Sequence, residues 1–260
     1  MRTLRFGLIL CLALLAHWGL AQAPHLENRK PVTIQPEAWE IVVLANQARA
    51  TQGAKPLQWD TALGEAARQH CLRMAAEGPI SHRYGGEPDL SERASQAGAH
   101  FSLIEENVAV GPTPAGIHEL WMHSPGHRTN LLNPDVDRVG VAVVASRGVL
   151  YAVADYARVV SVLSQTQVES TIAELVRAKG VAVLNDAANA RSYCAQEQVA
   201  RDSKLPGFRM LWQEADLTHL PQALLDRIGS GHYHRAAVGS CPAQDVQGSF
   251  TAYRVAVLLY

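Results

Sequence analysis

WMHSPGHRTN, residues 121–130, is the stretch whose reading decides the fold. A run with helical character from Pro114 ends at His123, and Ser124-Pro125-Gly126 interrupts it. Proline disfavours helical geometry in the residue before it, which puts the break at Ser124. His127 is then delivered on a turn, with Arg128 beside it. A histidine there can bind a metal or accept a proton. It can equally brace a loop, because buried polar groups need partners whether or not they do chemistry.

Downstream lie two apolar, β-rich runs, Arg138 to Ala145 and Val149 to Val160, joined by Ser146-Arg147-Gly148. That pattern predicts a hairpin. Upstream, helix formers with an apolar face run from Glu37 to Thr51 and stop at Gly53. Asp60 is placed to cap a second helix that runs to Glu77, with Gly78-Pro79 ending it. Residues 80–88 read as loop and Ser91 to Gln96 as a short helix; a short segment around Ile104 to Val110 follows, before Gly111 and Pro112 punctuate the chain. Helices followed by paired strands predict a sandwich with the strands in the middle layer.

At the N-terminus, Arg2 and Arg5 precede an apolar run from Phe6 to Leu15, and Ala21-Gln22-Ala23 follows. This order is that of a secretory signal peptide, residues 1–23. The run is shorter than the roughly 20 residues a membrane span requires, and no transmembrane segment is expected in the mature chain. Residues 24–36, with Pro24, Pro31 and Pro36, form an extended lead-in. The expected location is periplasmic or secreted. The 260 residues carry a formal charge of -1, which becomes -3 when Arg2 and Arg5 are removed. Lys and Arg are scattered without a basic stripe, so nucleic acid is not an expected partner.

Of four cysteines, Cys11 lies inside the signal run. Cys71 shares helical spacing with Leu63, Ala67 and Met74 and reads as a small buried apolar residue. Cys194 and Cys241 remain as the expected disulfide, consistent with a secreted chain.

Taken in order, the residues Asn46-x-x-Arg49, Gly53, Leu57-x-Trp59-Asp60, Leu63, Ala67, Met74 and Ser81-His82 resemble one family. Glu92-Arg93, Glu106-Asn107, Trp121, Ser124-Pro125-Gly126-His127-Arg128 and Gly140-Val141 extend the likeness. The family is the CAP superfamily of cysteine-rich secretory, antigen 5 and pathogenesis-related proteins, in its bacterial SCP-like form. The resemblance covers about residues 40–157. It implies an α+β fold, a three-layer α-β-α sandwich over residues 37–160, and a cleft built on two histidines and two glutamates. His82 and His127 match the histidines and Glu106 the first glutamate. Ser124 occupies the position of the second, so the tetrad is a triad here.

Two neutral imidazoles can hold Zn²⁺ or another divalent metal at about 2.0–2.1 Å, with a carboxylate as ligand or water holder. His82 and His127 are therefore the expected metal ligands, Glu106 the candidate catalytic group, and Arg128 a candidate for anion contact. His118 and His123 lie five apart, about 140° around a helix, and do not form a zinc-protease pair. Ser124 and His127 lack the G-x-S-x-G elbow of a serine hydrolase.

Residues 164–260 form a smaller C-terminal α/β lobe, read either as a degenerate repeat or as an unrelated extension. Arg177-Ala178-Lys179-Gly180 echoes Arg49 to Gly53, and Ala190 to Cys194 echoes Ala67 to Cys71. Ser230-Gly231-His232 echoes Ser124 to His127, with Glu214 in the place of Glu106. No histidine stands for His82, so a second complete site is not expected. His232 and His234 are expected to share one face of a strand.

The functional expectation is a secreted protein that binds a ligand, a lipid or a protein partner through the cleft, with or without a metal. The alternative is a metal-assisted hydrolase, peptidase-like, using His82, His127 and Glu106. Because one fold hosts many activities, the likeness alone does not decide between them.

Overall fold

The computed structural model describes residues 34–197, 205–243 and 250–260. The expected signal peptide, residues 1–23, and residues 24–33 of the expected lead-in lie outside them. In chain order the first lobe comprises α1 (Pro36–Thr51), β1 (Gln58–Trp59), α2 (Thr61–Glu77), α3 (Leu90–Gln96), β2 (Phe101–Gly111), α4 (Pro114–His123), α5 (Pro125–Leu132), β3 (Arg138–Ser146) and β4 (Val149–Val159). The sheet order is β1-β3-β4-β2, with β1 parallel to β3 and the other pairs antiparallel.

Strand alternation sorts the core into two layers. Val139, Val141, Val143, Ala152, Ala154 and Tyr156 face α1, α4 and α5, packing on Ile41, Ala45, Ile117 and Trp121. Ala142, Val108 and Val153 face α2, packing on Ala67, Cys71 and Met74. The lobe is thus the three-layer α-β-α sandwich expected.

Local chemistry sets the ends of these elements. Asp60 caps α2, its side chain accepting from Leu63 N. Asp89 and Glu92 form a reciprocal capping box on α3. The hairpin turns on Arg147 and Gly148, both at positive φ, between the paired residues Ser146 and Val149. That is the primed-turn geometry matching strand twist.

The segment around Ile104 to Val110 is part of an eleven-residue strand, paired along its length with β4. One expectation is corrected. His127 does not ride on a turn: the chain resumes helix at once, and His127 is the third residue of α5. Ser124 is extended (φ -92°, ψ 118°), as a residue before proline should be, and both ends α4 and starts α5. Pro125 at the first helical position sacrifices no hydrogen bond there.

The second lobe comprises α6 (Gln165–Arg177), β5 (Ala182–Val183), α7 (Ala188–Gln196), β6 (Phe208–Glu214), α8 (Gln222–Gly229), β7 (Arg235–Cys241) and β8 (Tyr253–Leu259). Its sheet order, β5-β7-β8-β6, repeats that of the first, including the parallel short strand. Val168, Ile172 and Val176 of α6 and Leu224 and Ile228 of α8 cover one face. Ala190 of α7 covers the other. Among the described residues, α3 and α5 have no counterpart here. Cys194 and Cys241 are joined as expected, and Cys71 is free and buried.

The repeat is registered differently from the sequence echo. Gly140 of β3 accommodates Leu63 and Gly64 of α2, and Gly239 of β7 accommodates Ala190 and Arg191 of α7. Ala190 therefore stands for Leu63 and not for Ala67, a shift of about one helical turn. His232 and His234 are exposed in the connection before β7, not along a strand.

Candidate functional site

Glu106 lies in the middle of β2, the edge strand, directly opposite Asp155 of β4, which is itself opposite Gly140. Residues opposite one another in antiparallel strands share a face, here the face covered by α2. The Glu106 side chain is 3% exposed. One oxygen, Oε2, accepts from Arg93 Nη2 of α3 at 2.5 Å; the other, Oε1, lies 2.8 Å from His82 Nδ1. Asp155 is fully buried, and burial, followed by the neighbouring Glu106 carboxylate, pushes its carboxyl well above the ordinary range.

His82 comes from the loop between α2 and α3, and its side chain is 59% exposed. The Glu106 hydrogen bond raises its pKa, outweighing partial burial. His127 approaches from α5, on the other side of the sheet. Asn107 Nδ2 donates to His127 O at 2.9 Å, and Asn130 Nδ2 donates to both Glu106 O and Asn107 Oδ1 at 3.1 Å. Partial burial, then the neighbouring His82, lower the His127 pKa. The two imidazole rings lie 6.3 Å apart, centroid to centroid, inclined by 49°. Because β2 is an edge, groups from both faces of the sheet can meet around it. That topology brings His82 and His127 together.

His82, Glu106 and His127 thus converge as the sequence suggested. Ser124 makes no side-chain hydrogen bond to any of them among the described residues; its carbonyl accepts from Arg128 N at 2.8 Å. Arg128 is exposed and lines a shallow depression with Thr129, Leu132, Asn133 and Pro134. Neither is joined to the triad by a side-chain hydrogen bond or ion pair among the described residues, so both flank it without bonding to it. Among those residues no three His, Cys, Asp or Glu side chains form a metal-ligating group. What the protein offers a metal is two imidazoles, with the His82 ring oriented by Glu106.

Sequence reasoning missed four members of the site. Arg93 appeared only as part of a motif, without a role. His70 lies three residues after Ala67, on the buried stripe of α2, where a histidine among apolar residues signals a buried polar pair. Glu87 is its partner, at 2.7 Å. Asp155 is the lone acid in the apolar run of β4, which is its signal. The second lobe lacks this chemistry among its described residues. The rung Gly140–Asp155–Glu106 is replaced by Gly239–Ala256–Leu211, so Leu211, not Glu214, stands in the place of Glu106.

Residues 43–156, a little under half of the chain, match the model of the cysteine-rich secretory protein family, CAP. YkwD of Bacillus subtilis (strain 168) is 32% identical over 130 residues, 48% of this chain and 49% of that one. The Bacillus subtilis membrane protein YlbC is 32% identical over 128 residues, 44% of this chain and 36% of that one. The match therefore spans about half the length of the first relative and about a third of the second. Among solved structures, an outer surface protein from Borrelia burgdorferi is 20% identical, with a TM-score of 0.45, over 49% of this chain and 96% of that one. An extracellular SCP-domain protein from Bacillus anthracis str. Ames is 24% identical, with a TM-score of 0.44, over 48% of this chain and 44% of that one. Among the described residues no helix is long and apolar enough to cross a membrane.

Proposed function

We propose that the protein works outside the cytoplasm as a binding module, taking its ligand on the imidazole nitrogens of His82 and His127. A divalent cation such as Zn²⁺ is the simplest ligand of that kind. The observation that carries this reading is the occupancy of Glu106. Both its oxygens are engaged, one with His82 and the other with Arg93. A carboxylate so held orients the His82 ring, with Nδ1 donating to Glu106 and Nε2 left as the ligating nitrogen. This is the arrangement found behind histidine ligands generally. The same bonds count against Glu106 as the base of a hydrolase, since it would have to release one of them to take a proton from water. The signal-peptide pattern of residues 1–23 and the disulfide between Cys194 and Cys241 support the location.

The test is calorimetric titration of chelator-stripped protein with Zn²⁺, beside a His82→Ala/His127→Ala variant. Saturation near one equivalent, abolished in the variant, is the expected result. Glu106→Gln should still bind, about tenfold or more weakly. Equal binding in wild type and double variant, or none in either, would overturn the metal reading and turn the search to lipid and protein ligands.

A further inference from the structure

Beyond the two histidines, the loop that presents His82 is held from below by a buried group of unusual hydrogen bonding. His70 of α2 is completely buried, and both its ring nitrogens are engaged. Nε2 lies 2.8 Å from the carbonyl oxygen of Ser81, the residue before His82, and Nδ1 lies 2.7 Å from Glu87 Oε1. A carbonyl oxygen only accepts, so Nε2 must carry a hydrogen. Nδ1 faces a carboxylate oxygen at hydrogen-bond distance, which requires a proton between them. The other Glu87 oxygen accepts from Tyr84 N at 3.0 Å. Burial opposes ionisation of Glu87, but the Tyr84 amide, followed by His70, holds its carboxyl below the ordinary value. One proton thus bridges Nδ1 and Glu87, and the ring is held at both nitrogens.

We infer that His70 is a positioning residue: a buried ring, engaged at both nitrogens, that ties Glu87 to the Ser81 carbonyl and so fixes the loop carrying His82. Further bonds close the same loop. Arg83 Nε donates to Glu87 O at 2.9 Å, and Arg93 Nη1 donates to His82 O at 3.3 Å and Pro88 O at 3.2 Å. The charged groups about the His70 ring are Glu87, Glu106, whose Oε2 lies 4.0 Å from Nε2, and Arg93, paired with Glu106. A buried polar group stripped of its hydrogen-bond partner is left unsatisfied, so the clamp operates as a unit.

The spectroscopic test is nitrogen-15 NMR of the histidine rings in the full chain at neutral pH. Both His70 nitrogens should carry the shifts of hydrogen-bonded ring nitrogens, and a free nitrogen at either position would overturn the proposal. The functional test compares His70→Gln, Glu87→Gln and the double variant. Each single change should speed amide exchange across residues 81–87, and the double variant, with a neutral amide pair, should regain protection. Wild-type exchange in both single variants would overturn the clamp. The metal arm rests on the binding function proposed above. His70→Gln should weaken Zn²⁺ binding by about tenfold, the low end for groups behind a ligand, although His70 touches no ligand. If wild-type protein binds no Zn²⁺, that function falls, while ring hydrogen bonding and amide exchange still decide the clamp.

Discussion

Gly140 of β3 and Gly239 of β7 occupy the same place in the two sheets, each where a helix lies flat on the strand. A Cβ on Gly140 would stand 2.0 Å from Gly64 N and 2.1 Å from Leu63 C; one on Gly239 would stand 2.3 Å from Arg191 N and 2.5 Å from Ala190 C. These neighbours are backbone atoms, which cannot rotate away. Gly140→Ala and Gly239→Ala should each lower stability by about 1–3 kcal/mol or more, the range for overpacking. The two sites lie in different sheets and share no partner, so the double variant should lose about the sum of the two. Guanidinium unfolding of the three variants checks both points, and a wild-type midpoint for either single variant would refute the equivalence.

Burial sets a second outcome, at Asp155. Its folded-state pKa is raised by burial and by Glu106. Folding therefore favours its protonated form. The stabilisation is complete below the unfolded value of about 3.9, and is lost as pH rises through the raised folded value. Asp155→Asn keeps the shape and carries a fixed donor, so the variant should lack that loss. The stability advantage of wild type over Asp155→Asn should shrink as pH rises above about 3.9, by about 1.4 kcal/mol for each pH unit until the raised folded value is passed. A difference that stays constant would show that Asp155 does not titrate in that way.

Much of the first lobe was legible because its signals are local. Asp60, the Pro114 start and the Arg147-Gly148 turn each act within a few residues, and their elements fall where those residues put them. The part of the site that depends on long-range packing was not. Arg49 reads as one residue of a motif, yet its buried guanidinium donates to Lys55 O, Leu131 O, Asn133 O and Val136 O, tying the end of α1 to the chain entering β3. Nothing near Arg49 in sequence announces three acceptors more than eighty residues away. The α5 helix was missed for the opposite reason. Ser-Pro-Gly reads as a break, and it is one, but proline also starts helices. The echo between lobes slipped by a turn because cysteine spacing was matched, whereas the glycines set the packing.

Thiol chemistry separates the three cysteines in the described residues. Cys71 is buried, its thiol donates to Tyr151 O, and burial pushes its pKa up to about 12. A thiolate is the reactive form, so native protein lacking residues 1–23 should resist iodoacetamide. In denaturant without reductant it should take up one equivalent, at Cys71. Cys194 and Cys241 are 47 residues apart, and closing a loop of that size corresponds to roughly 4 kcal/mol in the chain-entropy model. Replacing both with Ala should cost stability on that scale. Peptide mass spectrometry that found both thiols free in protein from an oxidising compartment would remove the argument.

The unlike environments of His82 and His127 predict which one pays for cation binding in protons. Glu106 raises the His82 pKa, whereas burial and His82 lower that of His127. Near neutrality His82 is therefore the more protonated ring, and a metal must displace that proton. Raising the pH through the His82 value should strengthen Zn²⁺ binding, and lowering it should weaken binding before His127 gains its own proton. Titration calorimetry in buffers of different ionisation enthalpy counts the protons released. Wild type should release a fraction of one proton per ion near neutral pH. His127→Ala should keep that release in whatever binding survives, and His82→Ala should lose it. Release that follows His127 would mean that the Glu106 hydrogen bond does not control the protonation of His82.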